Sequence, residues 1–182
     1  MKYALTGGIG SGKSYVCKVL RDVYGIDVYD CDAGAKGVMR NDRGLQQRLS
    51  EAVGQEVFPD GVLDKAVLSR FLLGSEENNR IINSIVHPAV ADDFLSSGHD
   101  WIESAILFES GFDKYVDKVI CVSAPLETRI SRVMKRDGIS RNQALEWINR
   151  QMPQEEKEHR SDYIIVNDGV TSVADEIKKI IS

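Results

Sequence analysis

Cysteine is scarce in this 182-residue sequence, and basic residues are outnumbered by acidic ones. The three cysteines, Cys17, Cys31 and Cys121, are an odd number, and their spacing suits neither a zinc site nor a disulfide framework. Cys17 and Cys121 lie within apolar patterns and are expected to be small buried side chains. The sequence therefore predicts a protein of a reducing compartment, the cytoplasm.

Long apolar runs and an excess of positive charge are also missing. No stretch is long enough to span a bilayer, and the glycine-rich segment that starts at Gly7 is incompatible with a signal peptide. With 23 basic and 28 acidic residues, the net charge of −5 argues against bulk binding to nucleic acid or to an anionic membrane. Neither partner is expected. The absence of a heptad pattern leaves the oligomeric state open.

The order of the apolar patterns predicts strands that alternate with helices. Strands are predicted at residues 3–5, 26–29, 101–108, 118–122 and 163–166, and helices at 13–23, 126–135, 142–149 and 173–181. Between the second and third strands the pattern is helical, and its stretch 78–86 is expected to end before His87-Pro88. This alternation predicts a single-domain, three-layer α/β fold with a mainly parallel, five-stranded sheet.

The segment Gly7-Gly8-Ile9-Gly10-Ser11-Gly12-Lys13-Ser14 follows the first predicted strand and opens the first predicted helix. Its spacing matches the Walker A pattern, in which glycines let backbone N–H groups converge on a phosphate. Lys13 is expected to reach the β- and γ-phosphates of ATP, and the Ser14 hydroxyl to ligate Mg²⁺. A turn that merely joins a strand to a helix is the plainer alternative, but the context favours a phosphate-binding loop.

Other nucleotide-binding classes fit less well. In the dinucleotide-binding pattern GxGxxG, the third glycine would fall where Lys13 stands. A GTPase switch would need a guanine-reading Asn-Lys-x-Asp, which is absent. The segment Asp22-Val23-Tyr24-Gly25 matches the DxxG string of such switches, but it lies at a helix end and not after a strand beside the γ-phosphate. The chain is also short for a motor ATPase. Two classes stay open: a small-molecule kinase, which could act on a nucleotide or on another metabolite, and a regulatory protein that uses ATP to switch partners.

A small-molecule kinase needs an acceptor pocket and a means of excluding water. Residues 33–98 are predicted to form a helical acceptor-binding insertion, and the charged residues 129–161 a helical lid. The remaining segments, which would form the core, are residues 1–32, 99–128 and 162–182.

Three arginines in the predicted lid, Arg129, Arg132 and Arg136, are spaced three and four residues apart and share one helix face. Taken alone, such a face is typical of a solvated surface. After a phosphate-binding core it is more consistent with a lid that closes over the phosphates.

The motifs resemble those of the dephospho-CoA kinase family. Besides Leu5 to Ser14, the matching motifs are, in chain order, Asp30-Cys31-Asp32, Gly61-Val62-Leu63, His87-Pro88, Leu107-Phe108-Glu109, Pro125-Leu126-Glu127-Thr128, Arg132, Arg136, Gln151, Asp162 and Asn167-Asp168-Gly169. Each later motif is short, but together they cover nearly the whole chain. The resemblance implies a nucleoside-monophosphate-kinase-like P-loop fold. It also implies Mg²⁺-dependent transfer of the γ-phosphoryl group of ATP to the ribose 3′-hydroxyl of dephospho-CoA, the final step of coenzyme A synthesis.

The resemblance also assigns roles to residues. Asp32 would orient the acceptor hydroxyl and accept its proton, although its position also suits a helix cap, a role that fits Asp30 better. Lys13, Arg132 and Arg136 would neutralise the transferring phosphoryl group. The residues implied to contact the acceptor are Asp32, Lys65 and His87. Those implied to contact ATP are Gly8, Ile9, Gly10, Ser11, Gly12, Lys13, Ser14, Tyr15, Asn167 and Gly169. For Asn167 and Gly169 an ordinary Asn-Asp-Gly turn is the alternative, and for His87 a helix C-terminal cap.

Four positions depart from the family pattern. Ala105 replaces a usual proline, and an acidic residue nearby, Glu103, would lie near the metal or at the polar edge of the core. Lys65 stands where an arginine is common, which keeps the charge but loses bidentate phosphate geometry. Tyr15 replaces a small hydroxyl residue after Ser14.

Overall fold

Five strands are formed in the computed structural model, which describes residues 1–182. They are β1 Tyr3–Thr6, β2 Val28–Asp30, β3 Trp101–Glu103, β4 Lys118–Ser123 and β5 Tyr163–Val166. They make one sheet in the order β2-β3-β1-β4-β5. β1 runs parallel to β3 and β4, and β4 runs parallel to β5. The predicted mainly parallel, five-stranded sheet with helices on both faces is confirmed.

Nine α-helices connect and follow these strands. They are α1 Lys13–Tyr24, α2 Cys31–Asn41, α3 Arg43–Val53, α4 Lys65–Gly74, α5 Glu76–Ser96, α6 Leu126–Asp137, α7 Arg141–Asn149, α8 Gln154–His159 and α9 Val173–Ile181. Short 3-10 turns occur at Pro59–Gly61 and Phe112–Tyr115. None of the helices combines the length and the apolar character needed to cross a bilayer.

The sheet core forms where α1 and α9 lay their apolar faces on the central strands. Val16 and Leu20, four residues apart on α1, are fully buried, as are Leu5 and Ile120 on the neighbouring strands. The central strands are apolar on both faces, as expected of parallel strands covered by helices. Cys121 is buried as expected, whereas Cys17 is only partly buried against this core, and none of the three cysteines forms a disulfide bond.

The chain divides into two compact units, one of residues 1–29 with 99–182 and one of residues 30–98. The second unit begins at Asp30, not at the predicted Ala33. In it, α2, α3 and α4 each pack against α5, which buries Ile82, Val86, Val90, Ala91 and Phe94. Residues 129–161, the predicted lid, belong to the first unit.

The prediction that a helix stops before His87-Pro88 is wrong. Helix α5 continues from Glu76 to Ser96 with Pro88 in its interior. A proline inside a helix removes a hydrogen bond and costs about 3 kcal/mol. Beyond Pro88, however, the side chains of Val90, Ala91 and Phe94 are almost completely buried. Tertiary packing of these residues outweighs the local signal, and His87 therefore lies within a helix and does not cap one.

The third strand is shorter than predicted, because β3 ends at Glu103 and not at Phe108. Pairing with β1 ends where the Ser104 N–H donates to the Leu5 carbonyl at 3.0 Å. The chain then turns, with Leu107 and Phe108 still buried. Buried side chains in a turn produce the same continuous apolar pattern as a buried strand, which is why the predicted C-terminal end of this strand is wrong. Helix α8 lies within the predicted helical lid but was not predicted as a separate helix, because its sequence is almost entirely polar.

Candidate active site: a phosphate loop held from outside

The glycine-rich loop lies between β1 and α1, and its shape depends on glycine. Gly12 caps the start of α1 with a φ of +93°, a left-handed conformation that glycine adopts without strain. A Cβ atom at Gly12 would lie 2.0 Å from the Asn167 side-chain nitrogen, and one at Gly10 would lie 2.5 Å from the Arg129 carbonyl oxygen. Larger residues at these two positions would therefore displace the segments that pack on the loop.

Four backbone N–H groups of the loop make no hydrogen bond within the protein. They belong to Gly10, Gly12, Lys13 and Ser14. Three of them stand at the start of α1, where the helix dipole contributes a partial positive charge. Unpaired N–H groups at the start of a helix after a glycine-rich loop are the usual means of binding a phosphate group. This set can accommodate the phosphates of a nucleotide.

The Lys13 side chain is nearly buried beside these groups, with 12% of its surface exposed. Its ammonium donates to the Gly7 carbonyl at 3.0 Å and lies 3.7 Å from a Glu103 carboxylate oxygen at the end of β3. Burial lowers the pKa of Lys13 from its ordinary value, and the Glu103 charge partly offsets that shift. The site thus combines a lysine on the loop with a carboxylate from the neighbouring strand.

Two arginines of α6 bind backbone carbonyls of the loop. Arg129 is 4% exposed, and its Nε donates to the Ile9 carbonyl at 3.0 Å. The Arg132 guanidinium donates to the carbonyls of Gly10 and Ser11 at 3.3 and 3.2 Å. Burial lowers the pKa of Arg129, but a guanidinium stays charged in proteins. The alternative of a solvated arginine face is therefore wrong for these two residues.

Arg136, one turn further along α6, differs from them. Its guanidinium is largely exposed and pairs with the adjacent Asp137 at 2.7 Å. This pair raises the pKa of Arg136 and lowers that of Asp137. Arg136 makes no contact with the loop in this structure, so its predicted contact with phosphate stays a prediction.

Two glutamines at the start of α8 and just before it bind the other side of the loop. The Gln151 Oε1 accepts a hydrogen bond from the Ile9 N–H at 2.8 Å, and the Gln154 Oε1 accepts one from the Gly8 N–H at 2.9 Å. Gln151 stood among the family-like motifs without an assigned role. Arg129 was predicted only as part of the arginine face of the lid, and Gln154 was not proposed as a site residue, because nothing in their local sequence indicates which backbone groups they will meet.

The turn after β5 contributes through Asn167, which is 6% exposed. Its side-chain nitrogen donates to the Ser11 carbonyl at 2.9 Å, and its own carbonyl accepts from Arg132 at 3.0 Å. Gly169 has a φ of +88°, and Asp168 accepts from the N–H groups of Val170 and Thr171, as in an ordinary turn. The turn explains Gly169, whereas Asn167 is fixed against the loop.

A buried ion pair that the sequence did not reveal lies close by. Lys157 on α8 is fully buried, and its ammonium donates to the Ala105 carbonyl and to Glu109, each at 2.7 Å. Glu109 also accepts from the Met152 N–H at 3.0 Å. Although burial raises it, these hydrogen bonds hold the pKa of Glu109 below its ordinary value. In the sequence, Lys157 lies in a charged run typical of a solvated helix.

The predicted acceptor residues lie in the unit of residues 30–98. Asp30 caps α2, because its side chain accepts from the N–H groups of Asp32 and Ala33. The capping role expected for Asp30 is confirmed, and Asp32 is an exposed residue in the first turn of the helix. Lys65 is exposed at the start of α4, and His87 is half-buried within α5.

Comparisons with known proteins find similarity to dephospho-CoA kinases over most of the chain. A family model described as dephospho-CoA kinase matches residues 1–173. A dephospho-CoA kinase from Bacteroides fragilis strain YCH46 is 40% identical, with 100% of this chain and 92% of the relative covered. The crystal structure of TT1252 from Thermus thermophilus is 32% identical and superposes with a TM-score of 0.82, covering 100% of this chain and 95% of that one. Dephospho-CoA kinase from Campylobacter jejuni is 25% identical with a TM-score of 0.67, covering 100% and 96%.

A Walker A loop between the first strand and first helix of a mainly parallel sheet defines a P-loop fold, and the superposition on the Campylobacter jejuni enzyme makes it a P-loop kinase fold. The matched family model extends over nearly the whole of this chain. The chain belongs to the dephospho-CoA kinase family.

Proposed function

We propose that the protein transfers the γ-phosphoryl group of ATP to the ribose 3′-hydroxyl of dephospho-CoA, giving coenzyme A and ADP. The observation that carries this proposal is the set of four unpaired N–H groups, on Gly10, Gly12, Lys13 and Ser14, in a chain of this family. Family membership supports the acceptor, and the loop supports the donor. The cysteines, none of which forms a disulfide bond, support a reducing compartment, and we propose the cytoplasm.

Mg²⁺ fits the donor set of this site. The Ser14 hydroxyl lies at the exposed start of α1, and the Glu103 carboxylate approaches Lys13. Both are hard oxygen donors of the kind that Mg²⁺ prefers, alongside phosphate oxygens and water. Ser14 would hold the ion through its hydroxyl, and the nearby Glu103 carboxylate would support it. When bound, the ion would supply positive charge that offsets the negative charge of the phosphates.

The chain's own residues then have distinct tasks. Lys13 stabilises charge on the transferring phosphoryl group, and its burial strengthens that interaction. Arg132 holds the loop through its carbonyls, and Arg132 and the exposed Arg136 are the arginines proposed to neutralise the transferring phosphoryl group when the predicted lid closes. Asp32 accepts the proton of the acceptor hydroxyl. Lys65 and His87 contact the acceptor.

An acceptor screen tests the assignment. The protein is incubated with Mg-ATP and either dephospho-CoA or each nucleoside monophosphate, while ADP release and product mass are followed. We expect turnover with dephospho-CoA and a product heavier by one phosphate, with the new phosphate on the ribose 3′-oxygen by phosphorus NMR. Turnover only with a nucleoside monophosphate would contradict dephospho-CoA as the acceptor but would still identify the protein as a kinase. Nucleotide binding without turnover of any acceptor would favour a regulatory switch.

A further inference from the structure

The polar groups of the loop backbone fall into two sets. The first set is engaged by protein atoms: the N–H groups of Gly8 and Ile9 and the carbonyls of Ile9, Gly10 and Ser11 bind side chains of other segments, and the Ser11 N–H donates to the Gly8 carbonyl within the loop. Those of the second set are the four unpaired N–H groups described above. Since buried backbone groups require partners, the engaged set determines which N–H groups remain for phosphate.

We propose that Gln151 and Gln154 are positioning residues for ATP, which hold the first half of the loop so that the N–H groups of its second half converge on the phosphates. The inference rests on ATP as the donor and does not depend on the identity of the acceptor. Both side chains act through the loop backbone.

Gln151 completes the fixing of a single loop residue, Ile9. The Ile9 N–H donates to Gln151, its carbonyl accepts from Arg129, and its side chain packs against an apolar cluster of α6 and α7 that includes Ile130 and Ile148. Both polar groups and the side chain of Ile9 are therefore held by residues 129–151. The peptide that follows Ile9 carries the unpaired Gly10 N–H, so its orientation depends on these contacts.

Gln154 ties the loop to the sheet. Its Oε1 accepts from the Gly8 N–H, while its Nε2 donates to the Val122 carbonyl on β4 at 3.2 Å and to Glu158 at 3.1 Å. One side chain thus connects the loop, the central strand and α8. The amide group of glutamine suits this bridge, because it offers a donor and an acceptor at once.

The same contacts allow a contrary interpretation, in which the glutamine oxygens occupy N–H groups that phosphate would otherwise bind. The two interpretations predict opposite results. If Gln151 positions the loop, its loss weakens nucleotide binding; if it competes with phosphate, its loss strengthens binding. The four N–H groups that remain unpaired while both glutamines are bound favour positioning.

The decisive variant is Gln151→Met, which keeps the length of the side chain but removes the acceptor for the Ile9 N–H. We expect the Kd for Mg-ADP, measured by calorimetry without acceptor, and the KM for ATP to rise about tenfold, the usual effect of losing one partly buried hydrogen bond. The kcat and the KM for dephospho-CoA should change less than threefold, since the lost interaction serves ground state and transition state alike. Unchanged or tighter ADP binding would overturn the proposal.

Two further variants keep the test interpretable. Gln154→Met should weaken ADP binding in the same direction, but it also loses the bonds to Val122 and Glu158 and lowers the melting temperature; if it does not fold, Gln151→Met alone decides. The matched control is Gln47→Met on α3, where an exposed glutamine bonds to Glu51 one turn away. It should leave ADP binding at the wild-type value. Because ADP binding needs no acceptor, a different acceptor specificity would not affect the outcome.

Discussion

The unit that contains the phosphate loop and the helical unit of residues 30–98 present their candidate functional residues in opposite ways. Around the loop, Arg129 and Asn167 are at least nine-tenths buried, and their side chains donate hydrogen bonds to backbone carbonyls of the loop. In the helical unit, Asp32 and Lys65 are exposed in the first turns of their helices. The fold thus holds the candidate donor residues in fixed positions, whereas the candidate acceptor residues are solvated.

The largest effect expected from this difference is that of Lys13→Ala. The ammonium acts from a nearly buried position, where a charge is stabilised by few waters and interacts strongly with phosphate. We expect kcat/KM to fall by at least about 10³-fold in a coupled ADP-release assay. Lys65→Ala, which removes an exposed lysine of the helical unit, should raise the KM for the acceptor about tenfold or less. Equal losses of kcat/KM in the two variants would contradict the difference between the buried lysine of the loop and the exposed lysine of the helical unit.

The next effect separates two aspartates at the start of α2. Asp32→Asn should lower kcat by about 10²- to 10³-fold with little change in the KM for ATP, because it removes a general base but not a nucleotide contact. Asp30→Asn is its matched control, since asparagine caps a helix as well as aspartate. That variant should keep near-wild-type kcat. If the two kcat values fall together, Asp32 has no special role.

The sequence was most informative where the chemistry depends on consecutive residues. The loop from Gly7 to Ser14 needs particular residue types at fixed spacing, so its place between β1 and α1 could be predicted from the pattern alone. The strand Tyr163–Val166 and the helix Val173–Ile181 were placed at the observed bounds, the strand from its continuous apolar run and the helix from a helical apolar spacing that coincides with its buried residues Val173 and Ile177.

The sequence was uninformative where a residue's role depends on a partner far along the chain. Gln154 contacts Gly8 across 146 positions, and Lys157 contacts Glu109 across 48, so no local pattern reports either contact. The continuation of α5 through Pro88 has the same origin, since it depends on packing in three dimensions. What remained hidden is the set of contacts that hold the loop in place.

A stability difference should accompany the difference in burial. Glu109→Ala leaves the fully buried Lys157 ammonium without its carboxylate, and we expect a loss of about 3 kcal/mol in the free energy of unfolding, measured with urea. Glu77→Ala breaks an exposed pair with Arg80 in the helical unit and should change stability little. A similar loss in both variants would contradict the distinction between the two units.

The Glu109 carboxyl also predicts a pH dependence. Its pKa in the folded protein lies below its ordinary value, so its contribution to stability is complete above the unfolded pKa of about 4.3. That contribution is lost as the pH falls through the folded value. The stability difference between the wild-type protein and Glu109→Gln should therefore be constant near neutral pH and shrink below about pH 4.3. A difference that persists unchanged at lower pH would show that the carboxylate charge is not its source.

The smallest effect tests how closely the loop unit satisfies its polar groups. Thr6, the last residue of β1, is fully buried, and its hydroxyl has no hydrogen-bond partner. An unsatisfied buried hydroxyl is destabilising, so Thr6→Val, which keeps the branched shape, should raise the free energy of unfolding by about 1 kcal/mol. A melting temperature higher by about 2–4 °C would accompany it. Because Thr6 precedes the loop, ADP affinity should not change. A destabilised variant would mean that the hydroxyl has a partner in solution, and a variant with weaker ADP binding would place Thr6 among the groups that shape the phosphate loop.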